Sequence, residues 1–89
     1  MLRELLWASG AWEDYLEIQS DKAALKKANQ LLKDVMRNGY RTSYGKVEML
    51  KGNFSGYASV WIDHKNRLIF KVDEVTVYII QCGGHYLDT

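Results

Sequence analysis

The sequence predicts an α+β fold, with an N-terminal strand and two helices packed on one face of an antiparallel sheet. Three observations lead there. Between residues 22 and 38 the apolar positions recur every three or four residues, the period of an amphipathic helix. From residue 47 onwards they recur every second residue, the period of a half-buried strand. The strand-like runs are joined by short turns, which suit antiparallel neighbours and not parallel crossovers.

Taken in order, Arg3 to Trp7 reads as a short first strand. Ser9 is a suitable N-cap for a helix over residues 10–19, with Trp12, Tyr15 and Leu16 on one face. Ser20 or Asp21 caps a second helix, whose inner positions are Ala24, Leu25, Ala28, Leu31, Leu32, Val35 and Met36. Asn38-Gly39 ends it, because glycine takes the left-handed conformation a helix terminus favours. Residues 40–46 read as a polar loop. Residues 47–50 form a short strand, and Asn53 to Gly56 a turn. Residues 57–62 alternate, with Ala58, Val60 and Ile62 on one side and Tyr57, Ser59 and Trp61 on the other. Asp63 to Asn66 is a hairpin loop. Residues 67–72 place Leu68, Phe70 and Val72 inward and Arg67, Ile69 and Lys71 outward. Asp73-Glu74 turns the chain into a last strand over residues 75–82, which Gly83-Gly84 releases before His85-Tyr86.

The 89 residues make a single domain over residues 1–89, since a domain commonly takes roughly 100–200 residues. An apolar fraction of 47% and a charged fraction of 26% exclude a disordered or low-complexity chain. Cys82 is the only cysteine, which excludes an intramolecular disulfide or a cysteine zinc cluster and points to a reducing compartment. No apolar run approaches the ~20 residues of a membrane span, and the N-terminus does not read as a signal peptide. A cytoplasmic location is therefore expected.

The net charge of +1 conceals an uneven distribution. Residues 1–21 hold one basic residue against five acidic. Residues 22–71 hold eleven basic against three acidic, and residues 72–89 hold three acidic and no basic ones. A basic middle between acidic ends creates a local positive surface at almost no net charge. The lysines of the second helix, Lys22, Lys26, Lys27 and Lys33, read as a solvated helix face. Arg41, Lys46, Lys51, Lys65, Arg67 and Lys71 fall on loops and strands, where the reading as a solvated face is weaker and a polyanion groove is the functional reading. A sheet face carrying Ser59, Trp61, Arg67 and Lys71 suits single-stranded RNA, whose bases stack on rings and whose phosphates pair with cations. An equal reading makes Tyr57 and Trp61 a small accessory cluster.

Glu48, Arg67 and His85 are individually unremarkable. Together they meet a chemical requirement. RNA cleavage through its own 2′-hydroxyl needs a base, a cation for the phosphate oxygens, and an acid for the departing 5′-oxygen. Glu, Arg and His supply those roles near neutral pH. No metal or cofactor is expected: only two histidines are present, with no compact ligand cluster around them and no glycine-rich phosphate loop.

The chain resembles the YoeB/Txe family of bacterial toxins, within the RelE-like superfamily. The resemblance is carried by Trp7, by Trp12-Glu13-Asp14-Tyr15-Leu16, by Lys46 to Lys51, by Asn53 to Tyr57, by Asn66 to Phe70 and by His85-Tyr86. These stretches occur in family order and span almost the whole chain. The resemblance implies a RelE-like, microbial-ribonuclease-like fold and a ribosome-dependent messenger RNA endonuclease that needs no metal. It implies Glu48 as general base, Arg67 as the cation at the scissile phosphate, His85 as general acid and Tyr86 beside it. Lys51 falls on a lysine near the phosphate, and Lys46, Lys71 and Trp61 join it as expected RNA contacts. The implied partners are a YefM/Axe-like antitoxin, the ribosome and messenger RNA, with DNA reached only through the antitoxin and a homodimer left open. The chain departs from the family at Val60-Trp61, where better-known members carry two arginines, at Gly83, and in the Leu87-Asp88-Thr89 extension. Two other functions stay open: a degenerate toxin that only binds antitoxin or ribosome, and a ParE-like gyrase poison.

Overall fold

The computed structural model describes residues 2–84. It contains β1 (Glu4–Trp7), α1 (Ser9–Ile18), α2 (Lys22–Asn38), β2 (Glu48–Met49), β3 (Ala58–Trp61), β4 (Arg67–Val72) and β5 (Thr76–Cys82). Short 3-10 turns lie at Gly39–Arg41 and Gly52–Phe54. The five strands form one sheet in the order β1-β5-β4-β3-β2. The last four make the expected antiparallel meander. β1 differs: it joins β5 in parallel, Glu4 opposite Thr76 and Trp7 opposite Ile79. A parallel pair needs a long connection, and here the whole run from α1 to β4 supplies it.

The core lies between the helices and one sheet face. Ala24, Ala28, Leu31, Leu32 and Val35 of α2 meet Ala58, Val60, Leu68, Phe70, Val77 and Ile79 of the sheet. Asp21 caps α2, its carboxylate accepting from the Ala24 N–H at 3.1 Å. Gly39 ends the helix as expected, but at φ 62° and ψ −132°, a positive-φ conformation open to glycine and not the left-handed helical one. Ser9 is not the cap of α1. The Ala8 N–H still donates to Ile79 O at 2.9 Å in the sheet, and the Ala8 carbonyl accepts from Trp12 N, so the helix opens at Ser9 itself. The buried line of α1 runs through Ala11 and Ile18, with Tyr15 packed beside the core. Trp12 and Leu16 lie at the surface. The Tyr15 hydroxyl donates to Asn29 Oδ1 at 2.7 Å and ties the two helices together.

The polar loop over residues 40–46 is anchored at several points. The Tyr40 hydroxyl accepts from Val72 N at 2.8 Å and donates to Gly56 O at 3.0 Å. Its ring stacks on Phe70 with centroids 5.7 Å apart. Gly45 is required on steric grounds, because a Cβ there would stand 2.6 Å from Val60 Cγ2. These contacts set the path of the chain into β2.

Ile69 adds to the sequence reading. Alternation turns it outward, away from the helices, yet it is only 1% exposed. It sits at the middle of the second sheet face, opposite Ser59 on β3 and Gln81 on β5. Ser59 is equally buried. The second face is therefore closed at its centre and open toward its ends.

Three aspartates make the fold acid-sensitive. Asp34 is held below the ordinary carboxylate value of 3.8 by hydrogen bonds from Thr42, Ser43 N–H and Asn38. Asp73 is lowered by the Val75 and Thr76 N–H groups of its own turn. Burial alone would raise Asp63, but donors from Lys65 and Asn66 outweigh it and the net shift is downward. A carboxyl group lowered in the folded state contributes stability above its unfolded pKa and loses it as pH falls through the folded value. Asp14, raised by burial, acts in the opposite sense. The urea midpoint should stay level down to ~pH 5 and fall steadily below ~pH 4. A midpoint that rises on acidification contradicts this, and Asp63→Asn should flatten the fall.

Candidate functional site

The second sheet face gathers four of the side chains that matter. β2 pairs with β3 so that Glu48 stands directly opposite Ser59. β3 pairs with β4 so that Trp61 stands opposite Arg67. Directly opposed residues in an antiparallel pair share a face, so Glu48, Ser59, Trp61 and Arg67 form one cluster at the end of the sheet. Arg67 Nη1 donates to Ser59 Oγ at 2.9 Å. Arg67 Cζ lies 4.0 Å from the centroid of the Trp61 ring, well inside cation–π distance. The guanidinium is thereby fixed from two sides: a buried hydroxyl accepts from its edge, and an indole face lies under its plane. Glu48 is exposed, on the strand neighbouring Ser59.

The end of β5 is drawn to the same place. The Gly83 N–H donates to Arg67 O at 2.8 Å, and the Arg67 N–H donates to Gly84 O at 3.4 Å. The Gly84 N–H donates to Asn66 Oδ1 at 2.8 Å, while Gln81 Nε2 donates to Gly84 O at 3.1 Å. Asn66 is held in turn by Asp63, which accepts from its backbone and side-chain N–H groups. Gly83 and Gly84 take φ values of 128° and 72°, conformations that a side chain disfavours. The hairpin turn thus carries the chain against Arg67 up to the last described residue. His85 and Tyr86 lie outside the described residues.

The remaining expected site residues are distributed around this cluster. Lys46 and Lys51 are exposed on either side of β2. Lys71 is exposed farther along β4, its Nζ 5.8 Å from the Tyr57 ring. Val60 points away from the site into the core, at 1% exposure. Of the Val60-Trp61 pair, only Trp61 therefore alters the site's own face. Cys82 is buried, and burial together with the Asp14 carboxylate pushes its thiol up to about 12. A thiol so held stays protonated at neutral pH and is no nucleophile. Among the described residues no cluster of His, Cys, Asp or Glu is arranged to hold a metal ion, and no helix is long and apolar enough to cross a membrane.

Alternation puts Ser59 on this face but assigns it no task. A serine in an alternating strand reads as polar surface, and only the diagonal reach of Arg67 reveals it as an acceptor. Asn66 likewise read as a turn residue, its hold on Gly84 being a contact between distant parts of the chain.

A mixed five-stranded sheet with two helices on one face is a fold that this chain shares with solved structures of low identity. Against Escherichia coli YafQ the TM-score is 0.79 at 16% identity, a likeness of fold alone. The nearer matches are more specific. A family model described as the YoeB-like toxin of bacterial type II toxin-antitoxin systems matches residues 7–86. Toxin YoeB of Escherichia coli K12 is 39% identical over 84 residues, covering 93% of this chain and 99% of that one. Toxin YoeB of Streptomyces coelicolor is 37% identical over 83 residues, covering 92% and 98%. The YoeB dimer structure from Staphylococcus aureus superposes with a TM-score of 0.85 at 40% identity, covering 97% of this chain and all of that one. The YoeB–YefM complex from the same organism gives 0.84 at 39%. The chain belongs to the YoeB-like toxins of bacterial type II toxin–antitoxin systems.

Proposed function

We propose that this chain is a ribosome-dependent messenger RNA endonuclease that cleaves by attack of the substrate's own 2′-hydroxyl. The observation that carries the reading is the Arg67 guanidinium, held between Ser59 Oγ and the Trp61 ring on the face that bears Glu48. A preorganised cation of this kind is what the transition state of phosphoryl transfer requires, since it needs no reorientation as charge develops. Glu48 takes the proton of the 2′-hydroxyl. The 2′-oxygen bonds to phosphorus, and the bond from phosphorus to the 5′-oxygen breaks. His85 gives that oxygen its proton. The products are a 2′,3′-cyclic phosphate and a 5′-hydroxyl. Tyr86 supports His85, and Lys46 and Lys51 attract the strand.

The family's partners follow as part of the reading. A YefM-like antitoxin with an acidic segment complements the basic middle of the chain, and the dimer and YoeB–YefM assemblies of the Staphylococcus aureus relative make both associations expected here. The site of action is the bacterial cytoplasm, on translating ribosomes. A binding-only role rests on the missing arginine at Trp61. The close packing of Trp61 under Arg67 favours retention of catalysis, because the ring orders the cation that remains.

The 2′-hydroxyl mechanism has a sharp test. A messenger RNA carrying one 2′-deoxynucleotide 5′ to the cleaved bond should resist cutting at that bond by ~10³-fold or more, with the neighbouring sites unaffected. Normal cutting at the substituted bond contradicts the mechanism.

A further inference from the structure

The face that bears Arg67 carries a second pairing of a cation with a ring. Lys71 Nζ lies 5.8 Å from the Tyr57 centroid, and Lys71 stands opposite Tyr78 on β5. Lys71 is exposed, and the two tyrosines are half-buried. Arg67 and Lys71 are four residues apart on β4, so their side chains leave the same face about 13 Å apart along the strand. Between them Ser59 and Ile69 are each 1% exposed and close the sheet. Among the described residues the face therefore offers two separated contact points, each a cation beside an aromatic ring.

The geometry points to the Tyr57–Lys71 pair as a subsite for a nucleotide flanking the one cleaved at Arg67. This inference rests on the RNA reading above and adds to it a second point of grip on the single strand. The half-buried Tyr57 ring offers a surface for a base, and Lys71 offers a point charge to a phosphate. That combination distinguishes single-stranded nucleic acid from an acidic peptide, which supplies carboxylates and no bases to stack. The acid bonded to Tyr78 already has partners of its own. The Asp73 carboxylate is occupied by the Val75 and Thr76 N–H groups and by the Tyr78 hydroxyl at 3.1 Å.

The test uses the full chain and two uncleavable 2′-O-methyl RNAs, a hexanucleotide and a dinucleotide, with binding followed by NMR shifts of the backbone amides. The hexanucleotide should perturb Tyr57, Lys71 and Arg67, and the dinucleotide Arg67 alone. Tyr57→Leu should weaken hexanucleotide binding on the order of tenfold and leave dinucleotide binding unchanged. Lys71→Gln, at an exposed position that does not threaten folding, should weaken hexanucleotide binding and lower its salt slope by about 1. If both variants bind the hexanucleotide as wild type does, or lose both RNAs equally, the subsite is overturned while the RNA reading stands. If wild type binds neither RNA and perturbs no amide of this face, the subsite is overturned, and cutting on programmed ribosomes decides the RNA reading separately.

Discussion

Arg67→Ala should lower cleavage on programmed ribosomes by ~10²–10³-fold, the usual consequence of removing one preorganised donor from a developing oxyanion. The expectation follows from the way the side chain is held. Ser59 accepts from Nη1 at 2.9 Å, and the Trp61 ring lies 4.0 Å from Cζ. The cost of ordering a long arginine side chain is thus met in the folded protein, before the substrate arrives. Arg67→Lys should recover only part of the loss, because an ammonium neither forks toward a phosphate nor stacks on an indole. The loss should appear in kcat, with ribosome affinity close to wild type, since charge at the phosphate grows mainly in the transition state. Cleavage by Arg67→Ala within about threefold of wild type contradicts the role, because a shift of that size is well under 1 kcal/mol.

Phe70→Ala should remove ~3–5 kcal/mol of stability. Phe70 is fully buried in β4 and belongs to the core that the helices and the sheet share. It also supports the Tyr40 ring at 5.7 Å, and Tyr40 in turn bonds Val72 N and Gly56 O. Its loss leaves a cavity and loosens the loop that leads into β2. An 89-residue domain has few kcal/mol to spare, with total stabilities of about 5–15 kcal/mol being usual. Urea unfolding should show most of the stability gone. A loss under ~1 kcal/mol contradicts the packing described, because it implies that the core closes over the missing ring.

The two predictions differ in how readable their residues are in the sequence. Phe70 is legible from alternation along β4, just as α2 is legible from its three-and-four spacing, the Asp21 cap and Gly39. These are local patterns, fixed by backbone geometry within a few residues. Ile69 belongs to the same alternation and leaves from the face it assigns, but its burial is not legible, because periodicity tells which face a side chain leaves from and not whether that face is covered. The parallel entry of β1 escapes for a related reason: its partner, β5, is about seventy residues away along the chain. The start of α1 depends on where β1 releases the chain, and that is decided by the Ala8–Ile79 bond. In the site, Glu48 and Arg67 stand out only through family resemblance, since one acid and one arginine at this spacing carry no specific pattern. Ser59, Asn66 and Tyr57 acquire their tasks from cross-strand and tertiary contacts, which no linear spacing encodes.

Primer extension on a defined messenger RNA tests the central claim most directly. Purified protein is incubated with the RNA, with and without ribosomes, beside His85→Ala and Arg67→Ala. Wild type should give discrete cuts that need ribosomes and are lost or strongly reduced in both variants. The absence of cuts by wild type on ribosomes, or equal cutting by wild type and His85→Ala, would contradict the claim.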